Sequence, residues 1–107
     1  MANESNLFSA IEDAEEINYA AKYEGYTFIT LSNTEQVISD SSLDKLEQIL
    51  PSDKFMRVHK AFILKTSFIS EIIQIGTSHQ AILKNGKRIP ISKRKKRALL
   101  SKLKITE

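Results

Sequence analysis

The chain has 107 residues, 41% of them hydrophobic and 27% charged, which fits one compact globular domain and leaves no room for a second. It has no cysteine, so disulfide frameworks, thiolate metal sites and cysteine nucleophiles are excluded. The net charge of +3 conceals a split: residues 1–53 hold two Lys or Arg against eleven Asp or Glu, and residues 54–107 hold fourteen against two, for local balances of −9 and +12.

At pI ≈ 9.2, that split predicts a basic surface for a polyanion built from the second half, with the acidic first half covering the opposite face. No run approaches the roughly eighteen apolar residues of a membrane span. The opening "MANESNLFSAIEDAEE" is acidic where a secretory signal would be basic and then apolar. A cytoplasmic location without membrane contact is the expectation.

Residues 1–14 read as a linker or lead-in, with Leu7, Phe8 and Ile11 as one helical turn docked on the body, and the domain proper as 15–107. Residues 17–19 and 26–31 are rich in β-branched and aromatic side chains and read as strands around a turn at Gly25. "SNT" at 32–34 turns the chain into a third strand, 35–39, completing a meander. "SDSSLDKLEQILP" is the clearest helix. Ser41 or Ser42 caps it, Asp44 favours its first turn, Leu43, Leu46 and Leu50 recur on one face, and Pro51 ends it.

A strand at 55–58 follows, then an irregular piece near Lys65 and Thr66, and a strand at 69–75. "LKNGKRIPIS" is the strongest hairpin signal, with Asn85-Gly86 suited to a type I′ turn between strands 79–84 and 87–91. Pro90 cannot donate to a ladder, which places its strand at a sheet edge or end. From Ser92, a capping candidate, "SKRKKRALLSKLK" reads as a basic helix whose apolar stripe is the Lys96 stem, Leu99, Leu100 and Leu103. There is no internal repeat.

Catalysis finds little support. The two histidines, His59 and His79, have no metal-ligand or triad spacing, and Gly25, Gly76 and Gly86 are isolated, so no phosphate-cradling loop exists. No catalytic residue, metal or cofactor is assigned. The basic segments say more: residues 72–106 hold ten Lys or Arg and no acid. "KRKKR" is either a solvated helix face or a phosphate contact, whose counterion release makes binding salt-dependent. A membrane-surface helix ranks last, because its apolar stripe lacks Trp and Phe and is needed for the core.

In "FMRVHKAF", strand alternation sends Phe55, Arg57 and His59 to one side and Met56, Val58 and Lys60 to the other. The strand is expected to end near Val58, with His59 and Lys60 in a bend from which Phe62 and Leu64 return to the core. Polar groups on such a bend meet ligands from a rigid base. In "AKYEGYT", Tyr23 and Tyr26 are either cross-strand packing partners or a loop tip that meets phosphate, sugar or base edges.

Together, "SLDKLEQILPSDKFMRVHKAFILKTSFISEI" and "LKNGKRIPISKRKKRALLSKL" resemble the LytTR DNA-binding domain of bacterial response regulators, and "INYAAKYEGYTFITL" resembles that family's opening hairpin. The matching pattern is a helix ending in Leu-Pro, then Phe-x-Arg-x-His-[Arg/Lys], then Leu-x-x-Gly-x-x-Ile-Pro-Ile-Ser-Lys. Ala61 stands where the family usually has Ser, and Lys65-Thr66 stand near its Asn.

The resemblance implies a mainly β fold with two short helices, an elongated arrangement of small antiparallel sheets. It also implies sequence-specific binding to duplex DNA through loops in the major groove, by two copies on direct repeats. Carried onto this chain, Lys60 and Arg94 contact base edges. Arg57, His59, Lys65, Ser92, Lys93 and Arg97 contact the DNA backbone, and Tyr23, Gly25 and Tyr26 complete the footprint. A receiver domain, which usually precedes this module, is not encoded in the 107 residues. The chain is therefore an excised output domain of a histidine-kinase pathway or a stand-alone regulator. The competing reading is a protein-interaction module whose basic face binds an acidic partner.

Overall fold

The computed structural model describes residues 16–104; the expected lead-in at 1–14 lies outside them. In chain order the elements are β1 (Ile17–Tyr23), β2 (Tyr26–Leu31), β3 (Gln36–Ser39), α1 (Leu43–Ile49), β4 (Phe55–His59), β5 (Phe62–Lys65), a 3-10 turn (Thr66–Phe68), β6 (Ile69–Ile75), β7 (Ser78–Leu83), β8 (Arg88–Ile91) and α2 (Lys93–Lys102). A five-stranded sheet has the order β3-β2-β1-β5-β4, and a three-stranded sheet has the order β6-β7-β8, every pair antiparallel. The expected mainly β, two-helix architecture is what forms, and it is elongated, with principal extents of 45 × 25 × 24 Å.

The five-stranded sheet is the central layer. One face packs on α1 through Ile17, Ala20, Ile29, Leu43, Leu46, Leu50, Phe55 and Ile63. The other packs on the three-stranded sheet and α2 through Tyr19, Val58, Leu64, Ala81, Leu83, Ile89, Ile91 and Leu99. Alternation along the strands does the sorting: in β5, Ile63 faces α1 and Leu64 faces the second sheet. A seven-residue helix is too short to persist alone, so α1 depends on its leucine stripe. Ser42 caps it by accepting the Lys45 N–H at 3.0 Å, and Leu50 closes it ahead of Pro51.

Two expectations about turns are corrected. β1 runs on to Tyr23, four residues past the predicted end, because the β1–β2 loop is only two residues long. Its central residues Glu24 (φ 52°) and Gly25 (φ 85°) both take positive φ, the requirement of a type I′ turn. At Asn85-Gly86, where that turn was expected, positive φ belongs to Gly86 alone (φ 89°). Gly86 N–H donates to Leu83 O and Leu83 N–H to Lys87 O, each at 2.8 Å, so the loop has three residues with glycine at the left-handed position. Asn85 instead accepts the Lys87 N–H through its side chain at 3.0 Å. Pro90 lies in β8, an edge strand as anticipated.

Candidate nucleic-acid interface

Three segments far apart in sequence meet at one end of the central sheet. The first is the β1–β2 turn, where Tyr23 and Tyr26 are 64% and 50% exposed. The second is the β4–β5 bend, and the third is the start of α2. Lys22 N–H donates to Ala61 O at 2.9 Å, tying the hairpin to the bend, and Ser92 N–H donates to Val58 O at 2.9 Å, tying α2 to it as well. That second bond follows from a local irregularity. Between Arg57 and His59 the β4–β5 register slips, with Arg57 opposite Ile63 and His59 opposite Phe62, so Val58 is an extra residue in its strand.

An open groove of ≈ 400 Å³ results, lined by Glu47, Arg57, His59, Lys60, Ser92, Arg94 and Lys95. Five of the residues singled out from sequence are therefore brought together: Arg57, His59, Lys60, Ser92 and Arg94. Lys60 and Arg94 are exposed. Ser92 occupies the N-cap position of α2, but its hydroxyl makes no capping bond. A second recess joins Lys22, Gly25 and Tyr26 to the start of α1 and reaches Arg57 from the other side, so the face continues from the tyrosine turn to α2. Lys93 and Arg97 are exposed on α2. Lys65 is not part of this end: it pairs with Phe55 at the opposite end of the β4–β5 hairpin.

His59 holds the bend. Its Nδ1 accepts the Ala61 N–H at 3.1 Å, which requires an unprotonated Nδ1, and its ring packs against Phe62 with centroids 5.7 Å apart. Arg57 is braced from two directions. Nε donates to His59 O at 3.1 Å and Nη2 donates to Lys60 O. Nη1 donates to Asp44 Oδ1 at 2.7 Å and Glu47 Oε1 at 2.8 Å. Burial disfavours the guanidinium charge, but the bonds to the two carboxylates outweigh it and hold Arg57 above its ordinary value. Asp44 is held below the usual carboxylate value by its hydrogen bond from Arg57 and the charge behind it.

The place of two of these residues at this face escaped the sequence reading, which used Asp44 only as a first-turn acid of the helix. Asp44 and Glu47 stand at the basic face, so the acidic half does not simply cover the far side. Their i, i+3 spacing on a helix was the available signal, since it places both carboxylates on one face. Lys95, a further groove residue, is hidden in "KRKKR", where every position carries charge and only the helical period separates the faces.

A β-sandwiching domain with a basic bend, an exposed tyrosine turn and a basic helix start at one end belongs to the class of small polyanion-binding β domains. The sequence model of the LytTr DNA-binding domain family matches residues 10–104, and the chain belongs to that family, a family of DNA-binding domains and not of enzymes. It is 32% identical over 84 residues to the sensory transduction protein LytT of Bacillus subtilis, covering 78% of this chain and 34% of that protein. With LytT of Enterococcus faecalis the identity is 38% over 53 residues, covering 49% of this chain and 22% of that protein. The chain thus spans about a third or less of these relatives. Its fold matches a LytTr DNA-binding domain from a Bacillus cereus response regulator with a TM-score of 0.74 at 23% identity, covering 83% of this chain and 82% of that one.

Proposed function

We propose that the chain is the sequence-specific duplex-DNA-binding output domain of a bacterial transcriptional regulator, acting in the cytoplasm and reading the major groove through loops. The observation that carries this is the groove at which the β4–β5 bend and the start of α2 are joined by the Ser92–Val58 main-chain bond. Lys60, in the bend, and Arg94, near the start of α2, both line that groove and are exposed. Both can donate to guanine O6 and N7. Ser92, Lys93, Arg97 and His59 are assigned to the DNA backbone, helped by the N–H groups of Lys93 and Arg94, the first two of α2. Tyr23, Gly25 and Tyr26 meet the adjoining backbone, and Lys65, at the far end of its hairpin, is left to flanking phosphates.

Two copies bind directly repeated half-sites, and no metal or cofactor enters the contact. In a longer protein the module follows a receiver domain and answers a histidine-kinase pathway.

Selection of bound duplexes from a random pool tests the reading, followed by gel-shift titration of Lys60→Ala and Arg94→Ala on the winner. Each variant is expected to stay folded and to lose about 1–3 kcal/mol of specific binding. Wild-type affinity in both would remove the base-contact assignment. Failure to bind random duplex even at low salt would favour an acidic protein partner instead, because phosphate neutralisation is strongest there.

A further inference from the structure

We propose that Arg57 is the positioning residue of the DNA-reading bend, locked by Asp44 and Glu47 of α1, and that it contacts no phosphate itself; this rests on the DNA-binding reading above. The carbonyls of His59 and Lys60, which accept from Nε and Nη2, belong to the two peptide planes on either side of the Lys60 Cα. Fixing both planes fixes the direction in which Lys60 leaves the backbone. The remaining bonded donor, Nη1, faces two carboxylates at 2.7 and 2.8 Å. Four of the five guanidinium hydrogens are thus engaged.

Electrostatics and access agree. The Arg57 side chain is 13% exposed, whereas Asp44 is 80% and Glu47 45% exposed. The two carboxylates more than neutralise Arg57 itself, so the cations left to meet a phosphate in the groove are Lys60, Arg94 and Lys95. The brace itself is anchored, since Leu43 and Leu46 hold α1 on the central sheet and leave its carboxylate face toward Arg57. Helix α1 therefore aims a base-reading lysine that belongs to another element.

The test compares affinity for a selected duplex with affinity for random duplex, using wild type, Arg57→Gln, Arg57→Lys and the double variant Asp44→Asn/Glu47→Gln. Circular dichroism and thermal melting confirm that each is folded. If Arg57 positions the bend, the selected-to-random affinity ratio falls by about 5- to 150-fold in Arg57→Gln, while the log-log salt slope stays at its wild-type value. Arg57→Lys keeps the charge but not the planar fork, and is expected to lose the ratio as well. The double variant lowers the ratio although it removes negative charge.

A direct phosphate contact predicts the reverse. Arg57→Gln would weaken both duplexes alike and reduce the slope by about 0.9, Arg57→Lys would be nearly neutral, and the double variant would tighten both duplexes with the ratio unchanged. Those results overturn the positioning role. Wild-type protein that retains neither duplex overturns the DNA reading and this role with it. Wild-type selectivity in the Arg57 variants overturns this role alone. In DNA-free protein, the Lys60 and Ala61 amides are expected to exchange faster in Arg57→Lys than in wild type, with Ile63 unchanged; equal exchange also counts against the role.

Discussion

The Arg57–Asp44 ion pair makes stability depend on pH in a direction that can be fixed in advance. Asp44 has a lower pKa folded than unfolded, because Arg57 hydrogen-bonds to it and adds an opposite charge. Its contribution is therefore complete above the ordinary Asp value, about 3.9, and is lost as pH falls through the lowered folded value. The urea midpoint of wild type minus that of Asp44→Asn is expected to be constant at neutral pH and to shrink to nothing in strong acid; a difference that grows on acidification would contradict the pairing. At this scale "FMRVHKAF" was half legible. The sequence marks the bend and its charges, and His59 does fix the bend by accepting the Ala61 N–H. The carboxylate partners of Arg57 lie ten and thirteen residues upstream, beyond the reach of any local strand pattern, so its use as a brace was not visible.

At the scale of elements, two local features admit clean substitutions. Gly25 sits at φ 85° with nothing within 4 Å of an added Cβ, so Gly25→Ala meets only backbone strain and is expected to cost about 1 kcal/mol in urea unfolding. Ser42→Ala removes the cap on Lys45 N–H and is expected to cost about 0.5–2 kcal/mol. A zero effect at both would refute these turn and cap geometries. The α1 stripe of Leu43, Leu46 and Leu50 and the α2 stripe of Leu99 and Leu100 were readable because a helical period survives in any window that contains it. Turn type was not. Asn-Gly permits a type I′ turn without compelling it, and the register of β7 against β8 gives residues 84–86 a three-residue loop, while Glu24, a poor candidate by composition, is driven to positive φ by the two-residue β1–β2 connection.

Across the whole molecule, the central sheet carries a core on each face, so neither core exists without it. Leu46→Ala on the α1 side and Leu99→Ala on the α2 side, both at most 1% exposed, are each expected to cost about 2–5 kcal/mol. Unfolding should remain one transition when followed by circular dichroism and by tyrosine fluorescence; separated transitions would mean that the cores fold independently. The charge split pointed to a basic face and the resemblance pointed to its segments. Their convergence depends on strand order, which places β5 between β1 and β4, and on the register slip at Val58. Neither is written in composition or periodicity.

The Ser92–Val58 bond that joins the bend to α2 uses main-chain atoms only. Side chains at positions 60 and 94 can therefore be exchanged without altering the joint that sets their spacing. On the proposed base-contact reading, a combinatorial library at these two sites is expected to yield folded members with new duplex preferences, read by duplex selection. On that reading the domain is a fixed handle with interchangeable tips, retargeted by changing two residues.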